Sequence, residues 1–369
     1  MSVGVGLSRH PEVRAAAREA AERALDAGHI GKASCLFVGG TVDHLDQSID
    51  LCEELREVAG AGVQIVGAAV GAVLVRGDSS EDGPALGVLA VEGPAWAFSW
   101  QPEDPSQLRK AALAAGPGAL ALVFADPAAP LNRLAAALVR EGPKLVIAGG
   151  GASAEGGLIL DDDLADAPAV GLILPAPGRV VLAQSHQPIG QPSLVSSVEG
   201  RLIHELDGKP ALEVMSRLQE LPGLRDLEGA LPFLGLGVSP APGEAFDPND
   251  FLSVPLLGID EETGALAVGS RVDEGHSVSF TLRDGMGSRR ALQSALAGLG
   301  KPARPKFGCY FDCASRGTDL YGVDELDLSI IEKELGRFPL LSFRTSFELG
   351  PSGGGIGLHM FTGVLALGG

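Results

Sequence analysis

An alternation of apolar, strand-like runs with amphipathic, helix-like runs is the feature that most constrains this chain. It is met three times in one order. The first passage runs from "SVGVGLS" (2–8) through the Ala-rich "PEVRAAAREAAERALDAG" (11–28), "SCLFVGG", "HLDQSIDLCEELREVAG" and "VQIVGAAVGAVLV" to "ALGVLAVEG". Pro11 near the first turn and Gly28 at the end punctuate its first helix. The second passage runs from "AWAFSW" through "DPSQLRKAALAAG", "ALALVFADP", "LNRLAAALVREG" and "KLVIAGGGAS" to "AVGLILPAP". The third begins at "SVSFTLRD" and passes through "MGSRRALQSALAGLG", "KFGCYFDCAS", "VDELDLSIIEKELG" and "FPLLSFRTSFELG" to "LHMFTGVLALGG".

Each passage reads β-α-β-α-β-β. From Phe37 to Ile65 is 28 residues, from Val123 to Ile147 is 24 and from Tyr310 to Leu341 is 31. Onward to the closing strands near Val88, Leu172 and Val364 the gaps are 23, 25 and 23. Alternation of β and α looks repetitive in any α/β protein, but these spacings favour an internal repeat of one supersecondary unit. The short polar loop after each third strand predicts that it pairs antiparallel with the closing strand of its own unit.

The expected fold class is mixed α/β: three such units with mixed sheets, plus a mostly β linking region before the third. The first two units fill residues 1–182, the linking region 183–275 and the third unit 276–369. The linking region carries short apolar runs, "FLGLGVSP", "FLSVPLLGID" and "ALAVGSRV", separated by Pro, Gly and Asp clusters. At 369 residues the chain is too long for one ordinary core. Aromatics are only 5% while Gly and Pro number 52 and 25, so close approach through Ala and Gly has to replace bulk in the packing.

Charge narrows the function. A formal net charge of −19 argues against nucleic acid or an anionic membrane as partner, since both call for a basic surface. No apolar run approaches the ~20 residues of a spanning helix. No basic n-region leads an apolar core at the start, and four cysteines make no disulfide framework. The expectation is a soluble cytoplasmic protein.

Chemically capable residues concentrate between Phe307 and Pro351. In "FGCYFDC" Phe307, Cys309, Phe311 and Cys313 share one face, and Gly308, Tyr310 and Asp312 the other. Cys309 and Cys313 lie about 13 Å apart along an extended strand, too far for a disulfide. Cys313 ends the strand, where α/β sheets place ligand contacts, and Arg316 is close enough in sequence to favour its thiolate. The commoner role of such cysteines is a small buried hydrophobe.

In "LSFRTSFELG" Ser342, Arg344, Ser346 and Glu348 form a polar row opposite Leu341, Phe343, Phe347 and Leu349. The corresponding "IVGAAVGAVL" and "VIAGGGAS" carry no such row, so it is read either as a lined cavity or as the wet face of an edge strand. His359 stands among apolar residues, as a satisfied core side chain or a ligand contact. The acidic run Asp161–Asp163 reads as a solvated loop, and "HELD" (204–207) lacks the second histidine of a zinc helix. "AGGGAS" has no phosphate-loop lysine. No metal, cofactor or catalytic residue is expected.

On "CASRGTDLYG", "SFELGP" and "LHMFTG", with "QPIG" and "LDGKPAL" before them, the chain resembles FIST domain proteins, a family proposed to bind small ligands in signalling. Cys313, Arg316, Gly317, Glu348, Asp207, Gly208, Pro210 and Ala211 match the family pattern. The chain departs from it at Ala72, where glutamate is usual, at His186 and Gln187, and at Phe347. The resemblance implies an N-terminal FIST domain over 1–182 and a C-terminal one over about 215–369. It also implies a ligand pocket lined by Cys313, Arg316, Gly317, Arg344, Glu348 and His359. A charged pair there would suit a small zwitterion such as an amino acid, with arginine on its carboxylate and glutamate on its ammonium. A separate signalling protein would carry the output. The alternatives are an acyl-transfer or hydrolytic enzyme, with Cys313 as nucleophile and His359 as base, and a ligand-free scaffold.

Overall fold

The computed structural model describes residues 1–80, 83–153, 156–260, 262–300 and 304–369. Three α/β units and a β-barrel make up the fold. In the first unit the strands Cys35–Gly40 and Gln64–Ala69 run parallel, joined by a crossover through the helix Ser48–Ala59. In the second, Ala119–Ala125 and Val146–Gly151 do the same around Leu131–Glu141. In the third, Phe307–Cys313 and Leu340–Thr345 enclose Leu326–Leu335.

Closing strands do not pair as the loop lengths suggest. Leu86–Glu92, Ala169–Gln184 and Thr362–Gly368 each lie antiparallel to the second strand of their own unit, not to the third. The parallel crossover already occupies one edge of the second strand, and the closing strand returns to the other. The free edge of each third strand is instead covered by a strand from a different unit. Ala72–Val75 of the first unit pairs with Leu340–Thr345 of the third. Leu158–Leu160 of the second pairs with Gln64–Ala69 of the first. Glu348–Ser352 of the third pairs with Val146–Gly151 of the second. Three edges that would otherwise present unpaired backbone are closed in a ring.

This exchange explains two further departures. "FPLLSFRTSFELG" is two strands, broken at Ser346–Phe347, where the chain leaves its own sheet. There Ser346 donates its backbone N–H to the Gly151 carbonyl and Phe347 accepts from the Gly151 N–H. "LHMFTGVLALGG" is also two strands, since Gly355–His359 completes a hairpin with Glu348–Ser352 before Thr362–Gly368 begins. The glycine run at 149–151 serves this crossing. A Cβ on Gly150 would lie 2.5 Å from the Thr345 side chain, and one on Gly151 2.3 Å from Ser346 Oγ.

At the centre of the ring the units meet through aromatic rings. Phe37 and Phe124 stack with centroids 4.7 Å apart, and Phe311 and Phe343 meet them edge-on. The helices pack on the outer faces. Helix Val13–Gly28 lies so close to Ser2–Ser8 that a Cβ on Gly4 would fall 1.9 Å from the Ala24 carbonyl. Small residues therefore replace bulk here.

Ser277–Arg283, expected to open the third unit, belongs to the barrel. It pairs with His186–Glu199 and Leu234–Val238, and the barrel continues through Leu252–Ile259, Leu266–Val268 and Leu202–Leu206 back to His186–Glu199. Beside the third unit's closing strand its place is taken by the second half of Ala169–Gln184, paired over Gly178–Gln184. That long strand twists out of the second unit and delivers the chain to the barrel.

Candidate functional site

Where the second and third strands of the third unit end, five polar side chains are buried together: Asp312, Arg316, Arg344, Thr345 and Glu348. Asp312 and Arg344 are neighbours in the parallel register, and their side chains form an ion pair. The other Asp312 oxygen meets Arg316 Nε at 2.8 Å. Arg316 also donates to Asp327 Oδ2 at 2.7 Å, to Ser185 Oγ at 2.5 Å and to Tyr321 OH at 2.7 Å. Arg344 reaches Asp324 Oδ1 at 3.0 Å. Tyr310 OH completes the network on Asp327 at 2.9 Å, and burial raises its pKa well above the usual phenol value. Buried charges persist only when paired and hydrogen-bonded in this way. Both arginines thus hold the loop 313–327 to the sheet. Gly317, at φ 64° and ψ −133°, turns that loop into the short helix Thr318–Tyr321.

Glu348 lies on the other side. The break at Ser346–Phe347 rotates it off the Arg344 face, so the continuous polar row does not form. Its Oε1 accepts from Thr345 Oγ1 at 3.1 Å, and its Oε2 from Thr362 Oγ1 at 2.7 Å and the Thr362 N–H at 3.3 Å. Desolvation pushes its pKa up to about 8 against the pull of these donors, so the group is mostly a neutral acid at neutral pH.

Cys313 is 5% exposed and sits against this carboxyl. Burial, then the Glu348 charge, pushes the thiol up to about 11, while Ser315 and the Phe361 N–H pull it back. Ser315 Oγ lies 3.2 Å from the sulfur. Arg316, spent on its aspartates, does not lower it as the sequence suggests. All four cysteines are free thiols.

Phe361 closes this end in the left-handed region at φ 57°, an uncommon place for a bulky residue. Its carbonyl accepts from Ser185 N–H at 2.9 Å, and its ring lies 4.6 Å from that of His186. His186 contacts Thr281 Oγ1 at 2.8 Å through Nδ1, and burial with Arg283 pushes its pKa down to about 4.

His359 stands directly across the hairpin from Glu348, so both side chains leave on one face. Its Nε2 donates to the Pro351 carbonyl at 3.1 Å, which places the proton on that nitrogen. Burial pushes its pKa down to about 4. A crevice of about 330 Å³ opens beside it, between the hairpin, the strand Ala169–Gln184 and the barrel loop at Asp250–Phe251. The structure therefore joins Cys313 to Glu348, sets His359 beside Glu348 on an open crevice, and places Arg316 and Arg344 in the support behind.

Sequence reasoning missed Asp327, Thr345, Ser185 and Asp250 as contributors. Of the site's anchors, Thr345 and Thr362 left a signal, the first as the polar break in the apolar face of "LSFRTSFELG" and the second as the small polar residue of the closing "FTG". The other motifs resolve plainly. Asp161–Asp163 form a turn in which Asp162 pairs with Arg56 and Asp163 bonds Ser48. His204 lies in a barrel strand and Asp207 in its turn at φ 53°. Among the described residues no group of three or more His, Cys, Asp or Glu is placed to hold a metal, and no helix is long and apolar enough to cross a membrane.

Comparison with known proteins agrees with this architecture. The family model of the FIST N domain matches residues 34–209, and that of the FIST C domain residues 211–351. An uncharacterized protein of Mycobacterium tuberculosis, Rv0628c, is 33% identical over 100% of this chain and 99% of its own length. Another from Mycobacterium bovis, Mb0898c, is 32% identical over 100% of this chain and 98% of its own. The chain belongs to the FIST family, whose domains are sensory modules of signal transduction.

Proposed function

We propose that this protein is a cytoplasmic sensor that binds a small ligand against the Glu348–His359 hairpin and signals through a separate protein partner. The observation that carries this reading is the buried His359, which lines the open crevice and stands across the hairpin from the buried Glu348, itself set behind that lining. Strongly shifted groups in a cleft are where ligand sites concentrate. A crevice of about 330 Å³ is at the small end of ligand pockets, which suits an amino acid or a similar small zwitterion. Arg316 and Arg344 brace the site from behind, and Gly317 lets their loop close. Cys313 fills the space behind Glu348.

A thermal-shift screen of amino acids, amines and small carboxylates tests the reading. A ligand at about 100 times its Kd stabilises the fold by about 2.7 kcal/mol. Glu348→Gln, which keeps the Thr362 hydrogen bonds, is expected to weaken the response to any true ligand without destabilising the unliganded protein. Hits that respond identically in wild type and variant would place the ligand elsewhere. A hit consumed over time would favour cysteine chemistry, for which the Glu348 carboxyl against Cys313 is the specific observation.

A further inference from the structure

The crevice beside His359 has a one-sided chemistry. Four lining side chains carry hydrogen-bond donors, and each already makes one donation within the fold, which leaves a second amide N–H on Asn249 and on Gln184. Asn249 Nδ2 gives to Asp247 at 3.1 Å, Gln184 Nε2 to the Phe251 carbonyl at 2.9 Å, Ser352 Oγ to Asp250 at 3.4 Å and His359 Nε2 to the Pro351 carbonyl at 3.1 Å. No lysine or arginine is among the lining residues. What remains is two neutral amide N–H donors and a larger set of acceptors that includes a negative charge. Among the described residues the Asp250 carboxylate takes the Gly353 N–H at 2.9 Å and the Ser352 hydroxyl, leaving lone pairs on both oxygens. His359 is 1% exposed, and its Nδ1, an acceptor once the proton sits on Nε2, has no hydrogen-bond partner of normal geometry among the described residues. A buried acceptor without a donor is costly and calls for an explanation. Val180, Leu182 and Phe251 supply apolar wall.

We propose that the crevice is a site for a small primary ammonium ion with an apolar stem, its N–H groups shared between the Asp250 carboxylate and His359 Nδ1. An ammonium brings three donors and a positive charge to a site that offers acceptors and a negative one. The stem lies along Leu182 and Phe251, and an aromatic wall adds to the attraction for a cation. A carboxylate entering the same space would meet Asp250 without any free cation. This assignment rests on the reading that the ligand sits against the hairpin, and it names which pole of the ligand is recognised.

The test uses three isosteric probes, n-butylammonium, butyrate and n-butanol, on the full chain. Ser352→Trp serves as a plug, because Ser352 is partly exposed at the hairpin end and a larger side chain there fills the crevice. The thermal shift is read as the difference between wild type and plug, which cancels general solvent effects. Butylammonium is expected to give a plug-sensitive rise in melting temperature, with affinity at least tenfold weaker in Asp250→Asn, while butyrate and butanol give none. A plug-sensitive shift with butyrate or butanol, or an unchanged butylammonium response in Asp250→Asn, overturns the ammonium assignment and leaves the hairpin as a ligand site. No plug-sensitive shift with any probe also overturns the assignment. The sensor reading is then judged separately, by the Glu348→Gln screen.

Discussion

The first and third units solve the same backbone problem with opposite chemistry. Their strand registers are equivalent: Ala68 faces Gly39 on one side and the crossing strand on the other, as Arg344 faces Asp312 and Ala72. Where the first unit has Gly39, Gly40, Ala68, Ala69 and Ala72, the third has Asp312, Cys313, Arg344, Thr345 and Glu348. The second unit has Phe124, Ala125, Gly150, Gly151 and Leu158. One scaffold carries an apolar junction twice and a buried polar one once. The polar junction is not needed to close the ring of strands, because two of three junctions close without it. A binding role such as the one proposed above is compatible with that difference.

Breaking the polar junction is expected to have the largest effect. Arg316→Met leaves Asp312 and Asp327 buried without their shared cation and is expected to cost about 3–5 kcal/mol by denaturant unfolding. Changes among the apolar equivalents follow ordinary packing rules instead. An Arg316→Met protein as stable as wild type would mean that the network is not braced as described.

Acidity separates the junctions next. Glu348 keeps its proton in the folded state up to about pH 8, whereas an exposed glutamate gives its proton up at about 4.5. The folded state thus binds more protons across that window, so the stability contributed is complete below it and is lost as pH rises through 8. The slope approaches about 1.4 kcal/mol per pH unit for one such group. Glu348→Gln should remove this loss between about pH 4.5 and 8. On the acid side His186 and His359, both lowered to about 4 from 6.5, act in the opposite sense, with stability lost as pH falls from 6.5 through 4. A stability profile between about pH 4.5 and 8 that is unchanged in Glu348→Gln would contradict the buried neutral acid.

Making the third junction resemble the second should cost less. Glu348→Leu imports the residue at Leu158 but strips an acceptor from the Thr362 N–H and two threonine hydroxyls, an expected loss of about 1–3 kcal/mol. No loss would show that the junction tolerates either chemistry. The smallest effect is kinetic. Cys313, at 5% exposed, should react with iodoacetamide before Cys35, Cys52 and Cys309, though slowly, because its thiol is raised to about 11. Earlier labelling of Cys52, which lies in the first unit, would reverse the contrast.

Much of this contrast was legible in the sequence. The three helix-strand passages stand out because Ala-rich helices and short apolar strands have distinct periods. The polar row at Ser342–Glu348 singled out the third unit, and Cys313 and Glu348 do meet. The sequence could not show the strand exchange, because pairing partners such as Glu348 and Gly150 are almost two hundred residues apart. For the same reason Arg344 and Glu348 looked like one face, when the break at Ser346–Phe347 turns them apart. Asp250 was invisible as a site residue, since only the barrel's closure brings its loop over the hairpin.

Imidazole ¹⁵N spectra offer the most direct measurement, recorded while any compound that raises the melting temperature is titrated in. His359 in the third unit and His44 in the first are both buried, so each reports on its own unit. The account predicts that His359 Nδ1 shifts in proportion to occupancy while His44 stays fixed. Ligands that stabilise the protein and move His44, or leave His359 where it was, would contradict it.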